Sequence, residues 1–122
     1  MDHPARQYYN PRLTAAEERD LLRCNYLLLQ AGQAALGLIG PDLLGIAVEP
    51  RPGAVVLHFA VAAYSAELAE DLDDLVSELS VCLAGGPERD SEIIAAPHLG
   101  PPDPSWPGHR HAPLYLAKSP PR

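Results

Sequence analysis

Glu67, Asp71, Asp74 and Glu78 follow one another at spacings of four, three and four, and side chains at those intervals stack along one side of an α-helix. Glu70 and Asp73 widen the acidic surface, and no Lys or Arg occurs between residues 52 and 88. Like charges so spaced cost an isolated helix roughly 0.2–0.5 kcal/mol per pair, so the ridge does nothing for its own helix. It is a solvated face that keeps the chain soluble, a docking surface for a basic partner, or a metal site. A metal site of the helical-bundle kind needs a Glu-x-x-His on a facing helix. Neither predicted helix contains a histidine.

Three of the five histidines, His98, His109 and His111, cluster around a proline-rich stretch where zinc is conceivable. Zinc wants three or four convergent ligands, often with cysteine among them, and no cysteine is near. In a strand His109 and His111 would point one way and Arg110 the other, so these read as loop or interface histidines. His58 and Glu49 make an acid–base pair if they are cross-strand neighbours; otherwise His58 is a satisfied histidine on a half-buried sheet face. The chain has no Gly-x-Ser-x-Gly, no glycine-rich phosphate loop and no His-Glu-x-x-His. Ser65, Ser77, Ser80, Ser91, Ser105 and Ser119 show no histidine at a motif spacing. The expectation is a protein without catalytic residues, cofactor or metal. Trp106, the only tryptophan, stands in the loop 97–108 with five of the fourteen prolines. Prolines limit the entropy lost on ordering such a loop, and the indole either tucks back as a lid over a sheet edge or stands out as a binding anchor.

The elements that carry these residues are marked by the prolines, which leave long windows free at 12–40 and 53–86. Thr14 followed three residues on by Glu17 predicts a helix start with a capping box. Leu21, Leu22, Cys24, Tyr26, Leu27, Leu28 and Leu29 are dense enough to predict that most of this helix is covered; it ends near Gly37, with Gly40-Pro41 as the stop. Leu43 to Glu49, with Leu44, Ile46 and Val48 alternating, and Ala54 to Val61 predict a β-hairpin around Pro50-Arg51-Pro52-Gly53. Ser65 caps a second helix whose stripe is Leu68, Leu72, Leu75, Val76, Leu79, Cys82 and Leu83, ended by Gly85-Gly86-Pro87. Short strands follow at 91–96 and 112–118, with a loop too rich in proline for regular structure between them, and residues 119–122 read as a frayed tail.

The order α-β-β-α-β-β over residues 1–118 predicts a single α+β domain, a two-layer sandwich. It would consist of a four-stranded, mainly antiparallel sheet with two helices on one face, a permutation of the ferredoxin-like order. The length of 122 residues suits one core. Sixteen acidic against nine basic residues leave a net charge of −7, which disfavours a nucleic-acid-backbone binder. No apolar stretch approaches a membrane span, and Met-Asp-His-Pro does not open a signal peptide. A cytoplasmic protein with Cys24 and Cys82 as free, buried thiols is expected.

The run Leu36-Gly37-Leu38-Ile39-Gly40-Pro41-Asp42-Leu43-Leu44-Gly45-Ile46-Ala47-Val48 resembles small bacterial immunity proteins of polymorphic toxin systems. So do the acidic helix Glu67 to Glu78 and the closing strand Leu114-Tyr115-Leu116-Ala117-Lys118, so that the likeness spans residues 21–118. The loop 97–108 is more proline-rich than that pattern. The resemblance implies a non-catalytic inhibitor that blocks a cognate toxin, often a nuclease, by shape and charge. A toxin acting on nucleic acid needs a cationic groove, for which an acidic ridge can compete. Glu67, Glu70, Asp71, Asp74 and Glu78 are then the partner-binding residues, with Trp106 as hydrophobic anchor. Two other classes compete: a self-associating adaptor that pairs, as a homodimer, through the sheet face of Val56, His58 and Ala60, and a small enzyme with a polar pocket near His58.

Overall fold

A computed structural model describes residues 12–118; the tail expected at 119–122 lies outside the described residues. The first helix, α1 (Ala15–Ala34), begins as predicted: the Thr14 hydroxyl accepts the Glu17 amide, and the Glu17 carboxylate accepts the Thr14 amide. The helix ends at Ala34, three residues short of Gly37, whose φ of 81° turns the chain away. Only Leu27, Ala31 and Ala34 of α1 are buried, one stripe at helical spacing, while Leu22 and Leu29 are 60% and 73% exposed. The expectation that most of this helix is covered is therefore corrected. The helix has a single fully buried stripe, with Tyr26 and Leu28 half-buried beside it.

Strands β1 (Leu43–Arg51) and β2 (Ala54–Val61) form the predicted hairpin, closed by Pro52 and by Gly53 at φ 69°. The register slips between Leu43 and Gly45, so Leu43, Ile46 and Val48 join the helix-side core and Leu44 packs on the opposite face. One extra residue in a bulge reverses the facing of all residues on one side of it. That is why the simple alternation of Leu44, Ile46 and Val48 fails at its first member.

Helix α2 (Ala66–Leu83) starts where the Ser65 hydroxyl accepts the Leu68 amide, and buries Leu68, Leu72, Leu75, Leu79 and Leu83. These leucines share a core with Leu27, Ile46, Val48, Val55, Leu57 and Phe59, so α1 and α2 lie on the same face of the sheet. Arg23 ties the layers together at one end. Its guanidinium donates to Glu88 of the turn after α2 and to the carbonyls of Arg51 and Ala54.

The remaining strands are β3 (Glu92–Leu99) and β4 (Ala112–Leu116), in the sheet order β3-β2-β1-β4. β1 is antiparallel to β2 and β4, but β2 and β3 are parallel neighbours, so the sheet is mixed and the ferredoxin-like permutation does not hold. The sheet is mixed because β3 docks directly beside β2 with no strand between them, and lengths set its direction. An 18-residue α2 rises about 27 Å, and the eight residues of β2 span about 26 Å. The helix thus returns the chain to the end where β2 began, and β3 must run the same way.

β3 continues past the predicted 91–96 and through Pro97. The Glu92 amide donates to Gly53 and the Gly100 amide to Val61, so amides of even-numbered β3 residues face β2 and position 97 faces away. A proline there removes no ladder bond. At the other edge β4 slips register against Ile46 and Ala47, leaving Leu114 as the extra residue beside Pro113. The segment between β3 and β4, expected to lack regular structure, contains a 3-10 turn at Pro107–Arg110.

Candidate functional site

The face of the sheet opposite the helices is covered by the chain's own loop. Trp106 is 3% exposed and lies on Leu44, Ala47 and Ala60. The turn that delivers it is built by Asp103, whose carboxylate accepts the Ser105 amide and hydroxyl while its carbonyl accepts the Trp106 amide. Gly108 passes so close that a Cβ there would stand 2.5 Å from the indole and 2.7 Å from the His58 Cβ. The indole N–H is buried without a hydrogen-bond partner among the described residues. Of the two roles open to Trp106, the structure has the lid, laid on the face of the central strands β1 and β2 instead of over a sheet edge, and the indole does not stand out as an exposed anchor. Self-association through Val56, His58 and Ala60 meets the same obstacle, because these residues are 2%, 5% and 0% exposed.

Beside the lid, three polar side chains converge. His58 pairs with Ala47 across the hairpin, which puts Glu49 diagonally opposite His58 on the same face. On the other side of β1, Val48 pairs with Ala112, and extending that register by one residue sets His111 across from Glu49. Glu49 Oε1 is 2.7 Å from His58 Nε2 and 3.2 Å from His111 Nε2. The two imidazoles stack with centroids 5.2 Å apart and planes 4° from parallel. Arg51, two residues along the same strand, donates Nε to Glu49 Oε2 and Nη2 to Oε1. These hydrogen bonds, that of Arg51 first and that of His58 next, hold the Glu49 carboxyl down to about 2, against an ordinary 4.5. Burial lowers the pKa of His111, partly countered by the negative Glu49. The cluster opens into a cleft of about 500 Å³ bordered by Ser105, Trp106 and Arg110.

The conditional pairing of His58 with Glu49 is thus met in the structure, and His111 joins it instead of grouping with His98 and His109. Alternation along the two hairpin strands already set Glu49 and His58 on one face. His111 carried no such signal, because its position depends on how β4 docks against β1. Among the serines, Ser65 serves as a helix cap, Ser91 donates to Glu88 and Ser105 to Asp103. Cys24 and Cys82 are free thiols, half-buried instead of fully buried.

The acidic ridge is on the opposite layer, on the side of α2 turned from the core. Glu67, Glu70, Asp73, Asp74 and Glu78 are exposed and Asp71 is half-buried. Among the described residues, the ion pairs join Arg23 to Glu88 and Arg51, His58 and His111 to Glu49, and none reaches this ridge. Next to Asp74 and Glu78, a groove of about 410 Å³ runs to the end of α1 and is bordered by Gln33, Leu36 and Leu38. Leu36 is 74% exposed. No helix among the described residues is long and apolar enough to cross a membrane. No protein-family model matches the chain, and no curated protein matches it.

Proposed function

We propose that this chain is a non-catalytic immunity protein that binds and neutralises a basic bacterial toxin, a nuclease being the class whose cationic groove best complements it. The observation that carries the reading is the unneutralised face of α2. Five exposed carboxylates and a half-buried sixth find no cation within the described chain, in a protein of net charge −7. Such a face raises the rate of encounter with a cationic partner and disfavours acidic ones. Because Trp106 is under its own loop, the apolar contribution falls to Leu36 and Leu38 beside Asp74 and Glu78. A charged face next to an exposed leucine offers steering and a desolvated contact together.

The test is co-expression with the product of the adjacent gene, co-purification, and stopped-flow association at several salt concentrations. Asp71→Lys with Asp74→Lys slows association by about tenfold or more and flattens its salt dependence, with the circular dichroism spectrum unchanged. Unaltered kinetics in that variant remove the ridge from the mechanism.

One observation favours a second reading, self-association. Leu22, Leu29 and Leu36 are exposed at seven-residue intervals, Leu22 and Leu29 lying on one side of α1. Sedimentation over a range of concentrations separates the two, since a monomer with a competent acidic face is what the inhibitor reading requires.

A further inference from the structure

We infer that Glu49, His58 and His111 form a binding site for a divalent transition-metal ion, zinc above all, at the junction of the lid loop with the sheet. One ligand atom of each, the carboxylate oxygen of Glu49 and a ring nitrogen of each histidine, lies within 4.8 Å of the other two. Ligands about 2.0–2.1 Å from a tetrahedral zinc are themselves roughly 3.4 Å apart. The 2.7 Å and 3.2 Å separations from Glu49 Oε1 to the two Nε2 atoms both fall short of that edge, so the ion enters as the side chains spread slightly and the two parallel imidazoles turn toward it. Two imidazoles and one carboxylate form a donor set of intermediate softness. It suits Zn²⁺, Co²⁺ and Ni²⁺ and not the all-oxygen preferences of Ca²⁺ or Mg²⁺.

Two features go beyond proximity. The donors come from three separate segments, and two of them, Glu49 on β1 and His58 on β2, are on central strands, so the sheet fixes two of the three donors and the lid segment brings the third. Arg51 holds the second carboxylate oxygen through its Nε, as outer partners of metal-bound carboxylates do, while its longer Nη2 bond to Oε1 is given up to the ion. On binding, each Nε2 offers its lone pair to the ion, the hydrogen bond between His58 Nε2 and Glu49 is exchanged for metal bonds, and the ring protons reside on Nδ1. Three protein ligands leave a fourth position, filled by water, facing the cleft of about 500 Å³. The ion would join the segment ahead of β4 to the hairpin and clamp the lid. This inference is independent of the toxin-binding reading, which uses the other face of the molecule.

The experiment is titration of the metal-stripped full chain with Zn²⁺ by calorimetry and with Co²⁺ by visible absorption. The expected result is one ion per chain, low-symmetry Co²⁺ d–d bands with no thiolate charge-transfer band, and a higher melting temperature with Zn²⁺. Glu49→Gln and His111→Gln each weaken Zn²⁺ binding by at least about tenfold, while His109→Asn leaves it unchanged. His111 is partly exposed, so its variant keeps the fold, which circular dichroism checks. The inference is overturned by absence of binding at micromolar Zn²⁺, by unchanged affinity in both cluster variants, or by a thiolate band placing the ion on Cys24 or Cys82.

Discussion

If Trp106 is the lid that closes the second face of the sheet, its removal should be among the most costly substitutions in the chain. An indole buries about 150–250 Å², which at roughly 25 cal/mol per Å² is about 4–6 kcal/mol of transfer free energy. Trp106 is 3% exposed against Leu44, Ala47 and Ala60, so nearly all of that area is withdrawn from water. One cost runs the other way. The buried indole N–H has no partner among the described residues, a penalty of about 1–3 kcal/mol already borne by the folded state. Trp106→Ala is therefore expected to destabilise by about 3–5 kcal/mol. Trp106→Phe, which keeps most of the apolar contact and loses the stranded donor, should cost under about 1.5 kcal/mol. Because this is the only tryptophan, the assay is urea unfolding followed by far-ultraviolet circular dichroism. A loss below about 1 kcal/mol for the alanine variant, or a phenylalanine variant no better than alanine, refutes the account of a packed lid.

Gly108→Ala should destabilise by about 1–3 kcal/mol, since its methyl would meet the indole at 2.5 Å and the His58 Cβ at 2.7 Å, neither of which swings aside easily; thermal unfolding measures this. Glu49 titrates at about 2 when folded, below its ordinary 4.5, so its contribution is complete above 4.5 and is lost as the pH falls through 2. Glu49→Gln, unfolded by urea with a chelator present, should be less stable at neutral pH and decline less steeply between those two values; parallel curves for both proteins would contradict the sign. Leu29, 73% exposed on α1, should tolerate Leu29→Ser within about 0.5 kcal/mol, and a larger loss in calorimetric melting would mean that this face is covered.

Local chemistry made much of the fold legible. Thr14 with Glu17, Ser65, and the prolines and glycines of the turns each act within a few residues, and the structure has the caps and the hairpin where those residues demand them. The leucine stripe of α2 was equally readable, because a period of 3.6 repeats five times within one helix. Nonlocal facts were not. The direction of β3 follows from matching a helix length to a strand length, but its pairing with β2 depends on which hairpin edge it docks against, and the bulge at Leu44 on how two strands meet. Apolar density in α1 was misleading, since Leu22 and Leu29 are not held by any neighbour in the core. The Glu49 cluster was half visible: the hairpin implied His58, whereas His111 required the register of a strand more than fifty residues away.

Pro97 has a consequence for how this molecule can be recognised. With a proline turned outward on the free side of β3, a foreign strand cannot extend the sheet there without losing a main-chain bond. At this edge a partner must therefore rely on side chains, and in the proposed inhibitor reading these are the outward positions of α2, which the core does not constrain. Those positions can change identity, one at a time, without disturbing the leucines beneath them. Under the proposed inhibitor reading, a scaffold of this kind would follow a changing toxin through successive surface substitutions while its architecture stays the same.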